Sequence, residues 1–235
     1  MYTIVFDLDD TLYDRTQPLK KTLSEFDATK HLSFNQFYPI YQRNSDIGFD
    51  HVANNVWTLE ESHIFRIQDT LLQLGISIDK LEALSFQNLY KSNQEHIELY
   101  PFITEILNDL KDNGIQTLIM TNGPSIHQRN KIKNLGLDHY FNDYEIIVSE
   151  EERMAKPDCK IFELAERKFK FDKNNAWFIG DSYPIDIVGA HNAGWRTIWL
   201  NCNHQLPSSS VNLATKTVYS TKELKNYLFH ILNSL

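Results

Sequence analysis

Residues 3–6 of this chain, Thr-Ile-Val-Phe, run directly into Asp7-Leu8-Asp9-Asp10-Thr11. Four residues that favour a buried strand are followed at once by three acids, and a strand ending this way delivers its carboxylates together to the rim of a sheet. In open α/β folds that rim is where ligands bind. Asp7 and Asp9 are two apart, so an extended backbone sets them on one face, about 6 to 7 Å from each other along the chain. One cation and one substrate can engage both. Asp10 lies out of phase with them and is assigned no chemistry. An Asp-x-Asp pair alone is also what a surface turn looks like, so its meaning depends on what the rest of the chain brings to it.

After Thr11 the pattern changes. Residues from about 15 to 98 carry helical periodicity: Leu19, Leu23 and Phe26 fall at spacings of four and three, and Ile64, Ile67, Leu71, Leu72 and Leu74 form a longer stripe. Thr58-Leu59-Glu60-Glu61 reads as a capping box that opens this stripe, and Gly75 closes it. A last helix of the segment covers about 80 to 93. From Tyr100 onward strands and helices alternate: helix to Asn113-Gly114, strand 115–120, helix 125–135, strand 145–148, helix 158–169, strand 176–179, helix 184–193, strand 197–200. A Ser-rich loop at 203–215 and a closing helix at 221–233 follow. Such alternation implies parallel strands joined by right-handed crossovers, hence a doubly wound, Rossmann-like α/β sheet. A parallel sheet buries both faces, so the first strand must return to the later ones. The expected organisation is an α/β core of 1–14 and 99–235 with a helical cap, 15–98, inserted after the first strand.

With 235 residues the core is large enough to need no staple. A net charge of −8 argues against a nucleic-acid binder, which usually carries a basic face. Cys159 and Cys202 make neither a metal-ligand spacing nor a disulfide framework; they read as small core residues in a reducing compartment. No apolar run approaches a membrane span, and acids stand where a signal peptide would be apolar. The expectation is a cytoplasmic protein with no membrane and no nucleic-acid partner, a monomer or weak homodimer.

Four strand ends carry polar groups toward one edge: Asp7, Asp9 and Thr11 from the first; Thr121-Asn122-Gly123 from the second; Lys156-Pro157 after the third; Gly180-Asp181-Ser182, with Asp186 five residues beyond Asp181, from the fourth. Each alone has an ordinary structural reading as a turn or a helix cap. Together, at the carboxyl ends of parallel strands, they converge on one site.

The residue types there suit phosphoryl chemistry. Asp7 can attack an electrophilic phosphorus as a carboxylate nucleophile. Asp9 can protonate a leaving group and later activate water if its surroundings raise its pKa toward neutrality. Thr121 offers a hydroxyl to a phosphoryl oxygen, and the backbone N–H groups of Asn122 and Gly123 offer an anion-binding terminus. Lys156 supplies a fixed positive charge. Asp181 completes a set of hard oxygen ligands suited to Mg²⁺.

In these motifs the sequence resembles the haloacid dehalogenase-like (HAD) hydrolases. Asp7-Leu8-Asp9-Asp10-Thr11 is similar to the first motif of the family, Thr121 to the second, Lys156 to the third, and Gly180-Asp181 with Asp186 to the fourth. The resemblance implies Asp7 as nucleophile, Asp9 as acid/base, and Thr121 and Lys156 as phosphoryl-binding groups. It further implies Mg²⁺ held by the side chains of Asp7 and Asp181 and the main-chain carbonyl of Asp9, with Asp186 supporting the metal site. A helical insertion directly after the first motif is similar to the C1 type of cap, which closes over small soluble substrates. The run Asp10-Thr11-Leu12-Tyr13-Asp14, with Thr121-Asn122-Gly123 and Gln128, resembles a branch that contains pyrimidine 5′-nucleotidases of the YjjG kind.

The expected activity is therefore Mg²⁺-dependent hydrolysis of a small phosphomonoester through an aspartyl-phosphate, with a nucleoside monophosphate as the first substrate to try. Within the family a second acid such as Asp9 argues against dehalogenation, where no leaving group needs a proton. A sugar-phosphate mutase and a non-catalytic phosphometabolite-binding protein stand as alternatives. Arg43, Phe49, His51, Asn55 and Arg66 are the candidate specificity residues of the cap, each equally readable as a solvated or bundle-packing side chain. Tyr13 and Arg15, just past the first motif, are candidates to hinge it.

Overall fold

Thr3–Phe6 (β1) is buried along its whole length, as expected of a strand flanked on both edges and covered on both faces. The computed structural model describes residues 2–208 and 211–232. They divide into two compact units, Met1–Arg15 with Glu98–Leu235, and Thr16–Ile97.

The second unit is helical throughout: α1 (Gln17–Glu25), α2 (Phe34–Ala53), α3 (Leu59–Gln73) and α4 (Lys80–Gln94). Its core joins Leu19 and Leu23 of α1, Phe37 and Tyr41 of α2, Ile67 and Leu71 of α3, and Phe86 of α4. Leu19, Leu23, Ile67 and Leu71 belong to the stripes that the 3.6-residue period picks out, whereas Leu72 of the α3 stripe is exposed. Thr58 and Glu61 form the expected capping box of α3, and Asp79 and Glu82 form a second one on α4. Gly48 lets α2 approach α3 closely, since a Cβ there would lie 2.3 Å from Ser62 Oγ.

The first unit continues with α5 (Ile103–Asp112), β2 (Gln116–Thr121), α6 (Ser125–Asn134), β3 (Ile146–Val148), α7 (Ser149–Glu152), α8 (Cys159–Phe169), β4 (Ala176–Gly180), α9 (Val188–Asn192), β5 (Arg196–Leu200), β6 (Lys216–Val218) and α10 (Thr221–Leu232). The strands form one sheet in the order β3-β2-β1-β4-β5-β6, every neighbouring pair parallel. The chain is thus an α/β doubly wound fold, and its strand order reverses at β1 and β4. That switch point is where an open α/β sheet leaves a crevice beyond its carboxyl ends.

Three local details depart from the sequence reading. β6 falls between the expected loop, 203–215, and the closing helix, 221–233, where no strand was expected, because Lys-Thr-Val is too short and too polar to show a strand period and is held by its pairing with β5. The expected 184–193 helix opens as a wide π turn, Tyr183–Ile187, before α9. Cys159 is only partly buried and Cys202 is exposed, so neither is a core residue. Residue 233, the expected end of the closing helix, and residues 209–210 of the Ser-rich loop lie outside the described residues. Among the described residues no helix is long and apolar enough to cross a membrane.

Candidate active site

The backbone N–H of Asp7 donates to Ile179 O at 2.8 Å, which carries the β1–β4 ladder one residue past the strand and pins Asp7 at the switch point. Its carboxylate is buried and takes an ion pair from Lys156, Nζ to Oδ1 2.6 Å. The same ammonium reaches Asp186 Oδ1 at 2.7 Å. The Lys156 side chain is 1% exposed, and its ammonium stands 4.9 Å from the centre of the Phe178 ring. Its loop is fastened to the end of β2 by a reciprocal pair, Lys156 N donating to Asn122 Oδ1 (3.0 Å) and Asn122 Nδ2 to Lys156 O (2.9 Å). The Asn122 side chain thereby places the lysine.

Asp186 is delivered by the π turn. Its own N–H donates to Ser182 O (2.8 Å), while Ser182 N donates to its Oδ2 (3.0 Å), so the wide turn folds the carboxylate back against Gly180. Trp199 Nε1 donates to Asp181 O at 2.7 Å and fixes the residue beside it. Carboxylate oxygens of Asp7, Asp181 and Asp186 all lie within 4.8 Å of one another. Among the described residues no donor serves the Asp181 carboxylate. Three acids around one lysine leave excess negative charge, and the titration of the group reflects it. Burial, then the charges of Asp7 and Asp186, push Asp181 up to about 8. Burial pushes Asp7 up as well, against the pull of Lys156. Burial works to lower Lys156, but Asp186 and Asp7 outweigh it and hold the ammonium. A hard divalent cation fits this donor set, because it would cancel the repulsion that raises Asp181 and give its carboxylate a partner.

Asp9 stands apart from that trio. Its carboxylate accepts from Tyr13 Oη (2.5 Å), from Lys131 Nζ at both oxygens (2.7 and 2.8 Å) and from Gln128 Nε2 (3.0 Å). Burial would raise Asp9, but Lys131, Tyr13 and Gln128 together hold it below the usual carboxylate range. The expectation of a pKa raised toward neutrality is therefore corrected for the protein without substrate: three donors stabilise the anion, and burial does not overcome them.

Thr121 and Asn122 sit at the end of β2 as expected. Gln128 Nε2 donates to Thr121 Oγ1 (2.5 Å), which uses one acceptor site and leaves the hydroxyl hydrogen for a ligand. The α6 terminus is less open than the sequence suggests. Gly123 N donates to Ser149 Oγ (3.0 Å) and Ser125 N to Glu150 Oε2 (2.7 Å), so the acidic run of α7 already plugs it. Gly123 also has φ +142° and lies against Gln128, where a Cβ would be 3.2 Å from Cδ.

The five cap candidates lie in the helical unit. Arg43 donates to Gln73 Oε1 (2.6 Å). Arg66 donates to Gln87 Oε1 (2.7 Å) with its guanidinium 4.8 and 5.9 Å from the Tyr41 and Tyr90 rings. His51 stacks on Trp57 at 4.0 Å, Phe49 is 72% exposed, and Asn55 adopts a left-handed φ of 56°. Of the two hinge candidates, Tyr13 bonds Asp9 and bridges Leu99, while Arg15 pairs with Asp10 (Nε to Oδ2, 2.7 Å). Lys131, Ser149 and Glu150 were missed by the sequence reading. A lysine on a largely polar helix and an acidic run both read as solvated faces.

Residues 1–194 match the family model of haloacid dehalogenase-like hydrolases. The chain is similar to the pyrimidine 5′-nucleotidase YjjG of Escherichia coli strain K12, 29% identical over 96% of each chain. It is also similar to the glyceraldehyde 3-phosphate phosphatase of Methanothermobacter thermautotrophicus, 28% identical over 84% of each. Among solved structures it resembles the magnesium-bound HAD-hydrolase YfnB from Bacillus subtilis, with a TM-score of 0.66, 25% identity, and 99% and 98% of the two chains covered.

Proposed function

The chain belongs to the haloacid dehalogenase-like hydrolases, and from that premise we propose that it hydrolyses a small phosphomonoester with Asp7 as nucleophile and Asp9 as acid/base. The observation that carries this reading is the Asp9 carboxylate, held in place two residues beyond Asp7. Ester cleavage needs a proton for the departing alkoxide, whereas a departing halide needs none. The relatives named above are a pyrimidine 5′-nucleotidase and a glyceraldehyde 3-phosphate phosphatase, which supports phosphate esters as the substrate class.

In the proposed cycle the Asp7 carboxylate attacks phosphorus, the P–O bond to the alcohol breaks, and Asp9 gives its proton to the leaving oxygen. Asp9 then takes a proton from water, whose oxygen attacks phosphorus and breaks its bond to Asp7. Phosphate leaves, with Asp7 restored as the carboxylate and Asp9 in the protonated form in which it began. In the free protein Lys131, Tyr13 and Gln128 hold Asp9 as the carboxylate. An incoming phosphate adds like charge beside it and pushes the carboxyl up for the first half. Lys156 holds Asp7 and sets positive charge beside the phosphoryl group, and the Thr121 hydroxyl donates to one of its oxygens. Mg²⁺ held by Asp7, Asp181 and Asp186, with the Asp9 main-chain carbonyl implied as a further ligand, would neutralise charge on the phosphoryl oxygens.

The test is phosphate release from a panel of nucleoside monophosphates, sugar phosphates and phosphoglycolate, with Mg²⁺ and with EDTA. The reading expects release from at least one class, lost in EDTA. No release from any of them, beside dehalogenation of a 2-haloacid, would contradict it.

A further inference from the structure

Beyond the residues the motifs supply, helix α6 brings two more groups to the site. Gln128 and Lys131 are three apart and so share one helix face. The Lys131 ammonium has three hydrogens and three acceptors: Asp9 Oδ1 at 2.7 Å, Asp9 Oδ2 at 2.8 Å and Gln128 Oε1 at 2.7 Å. Its donor capacity is used up within the protein, which argues against a role in gripping substrate phosphate. Gln128 is 1% exposed, and its Nε2 reaches Thr121 Oγ1, Asn122 O and Asp9 Oδ2. Two hydrogens serving three acceptors tie the end of β2 to the side chain beyond the end of β1.

We propose that Lys131 is the positioning residue of the acid/base, fixing the plane of the Asp9 carboxylate by spanning both its oxygens while Gln128 locks the span to the phosphoryl-binding end of β2. The inference rests on the reading of Asp9 as the proton donor. An ammonium across both oxygens stops rotation about the carboxylate axis, and Tyr13 Oη at 2.5 Å holds Oδ1 as well. Proton transfer to a leaving oxygen requires the donor within hydrogen-bond reach, so loosening the carboxylate should weaken that step. Attack by Asp7 and capture of the phosphoryl group should be untouched, because neither contacts Lys131.

The distinguishing readout is leaving-group dependence. Lys131→Met, Lys131→Arg and Asp9→Asn are compared with the parent protein on an aryl phosphate with an acidic phenol and on an alkyl phosphate. Lys131→Met is expected to lower kcat for the alkyl ester by about ten- to a hundredfold, to change the aryl ester far less, and to leave KM unaltered. Lys131→Arg should restore most of the alkyl rate, since a guanidinium also spans two carboxylate oxygens. Asp9→Asn should show the same selectivity more steeply. Should Lys131→Met unfold, Lys131→Gln, which keeps a donor without the charge, is read in its place. Equal losses on both esters, or a rise in KM alone, beside a leaving-group-dependent Asp9→Asn would overturn the role of Lys131 and leave Asp9 as the acid. Loss without leaving-group dependence in Asp9→Asn would overturn the acid itself, and the inference with it.

Discussion

A Cβ on Gly180 would lie 2.4 Å from Oδ2 of Asp186, so the glycine at the end of β4 exists to admit the carboxylate that the π turn folds back against it. Gly180→Ala would force that carboxylate away from Lys156 and from Ser182 N. Overpacking of this kind costs about 1 to 3 kcal/mol. The expected outcome is a lower denaturation midpoint together with weaker Mg²⁺ binding, read by chemical denaturation and by titration calorimetry. An alanine variant with unchanged Mg²⁺ affinity would show that Asp186 has no part in the cation site.

Lys156 is the buried counter-charge of the acid cluster. Lys156→Met keeps the stem but leaves Asp7 and Asp186 facing each other unpaired, and breaking a buried pair in this way costs about 3 to 5 kcal/mol. Denaturation in EDTA should show that loss. Saturating Mg²⁺ should recover part of it, because a cation takes over the charge that the lysine supplied.

The Asp181 carboxyl, pushed by burial and by its acidic neighbours from the ordinary aspartate range up to about 8, makes stability without metal depend on pH. The folded state binds its proton more tightly than the unfolded chain does. Stability is therefore highest below the unfolded value and falls as pH rises from about 4 to about 8, by on the order of a few kcal/mol. Denaturation midpoints in EDTA at pH 5 and pH 8 check this. Mg²⁺ should reduce the slope, and Asp181→Asn should reduce it without Mg²⁺, leaving the part that the raised Asp7 carboxyl contributes.

In the helical unit, Arg66 lies against Tyr41 and Tyr90 and bonds Gln87. Arg66→Ala loses those ring contacts and the packing of its stem, about 1 to 3 kcal/mol together. The variant is expected to melt earlier while its KM for the best substrate of the panel stays unchanged. A raised KM at unchanged stability would instead make Arg66 a substrate contact.

How far these features can be read from sequence depends on whether their cause is local. Four-residue apolar runs announce β1 and β4 because a parallel sheet buries both faces of a strand, and Thr58 with Glu61 announces α3 because a capping box is a local bond pattern. Asp7, Thr121, Lys156 and Asp181 are legible as a group once parallel pairing is inferred, since parallel strands point their ends one way. The partners of Asp9 are not. Lys131 meets it across 122 positions, and nothing in the polar pattern of α6 distinguishes Lys131 from its neighbour Lys133. The same holds for Glu150, whose acidic run reads as solvent-facing until it caps α6, and for β6, which has too few residues to carry a period.

The central claim is that Asp7 attacks phosphorus, and Asp7→Asn tests it most directly, because an amide of the same shape keeps the packing while removing the nucleophile. Turnover of the best phosphomonoester of the panel is measured with saturating Mg²⁺, alongside a denaturation curve that verifies the fold. The account predicts a folded variant whose turnover is abolished, whereas a folded Asp7→Asn protein that still released phosphate at the parent rate would contradict it.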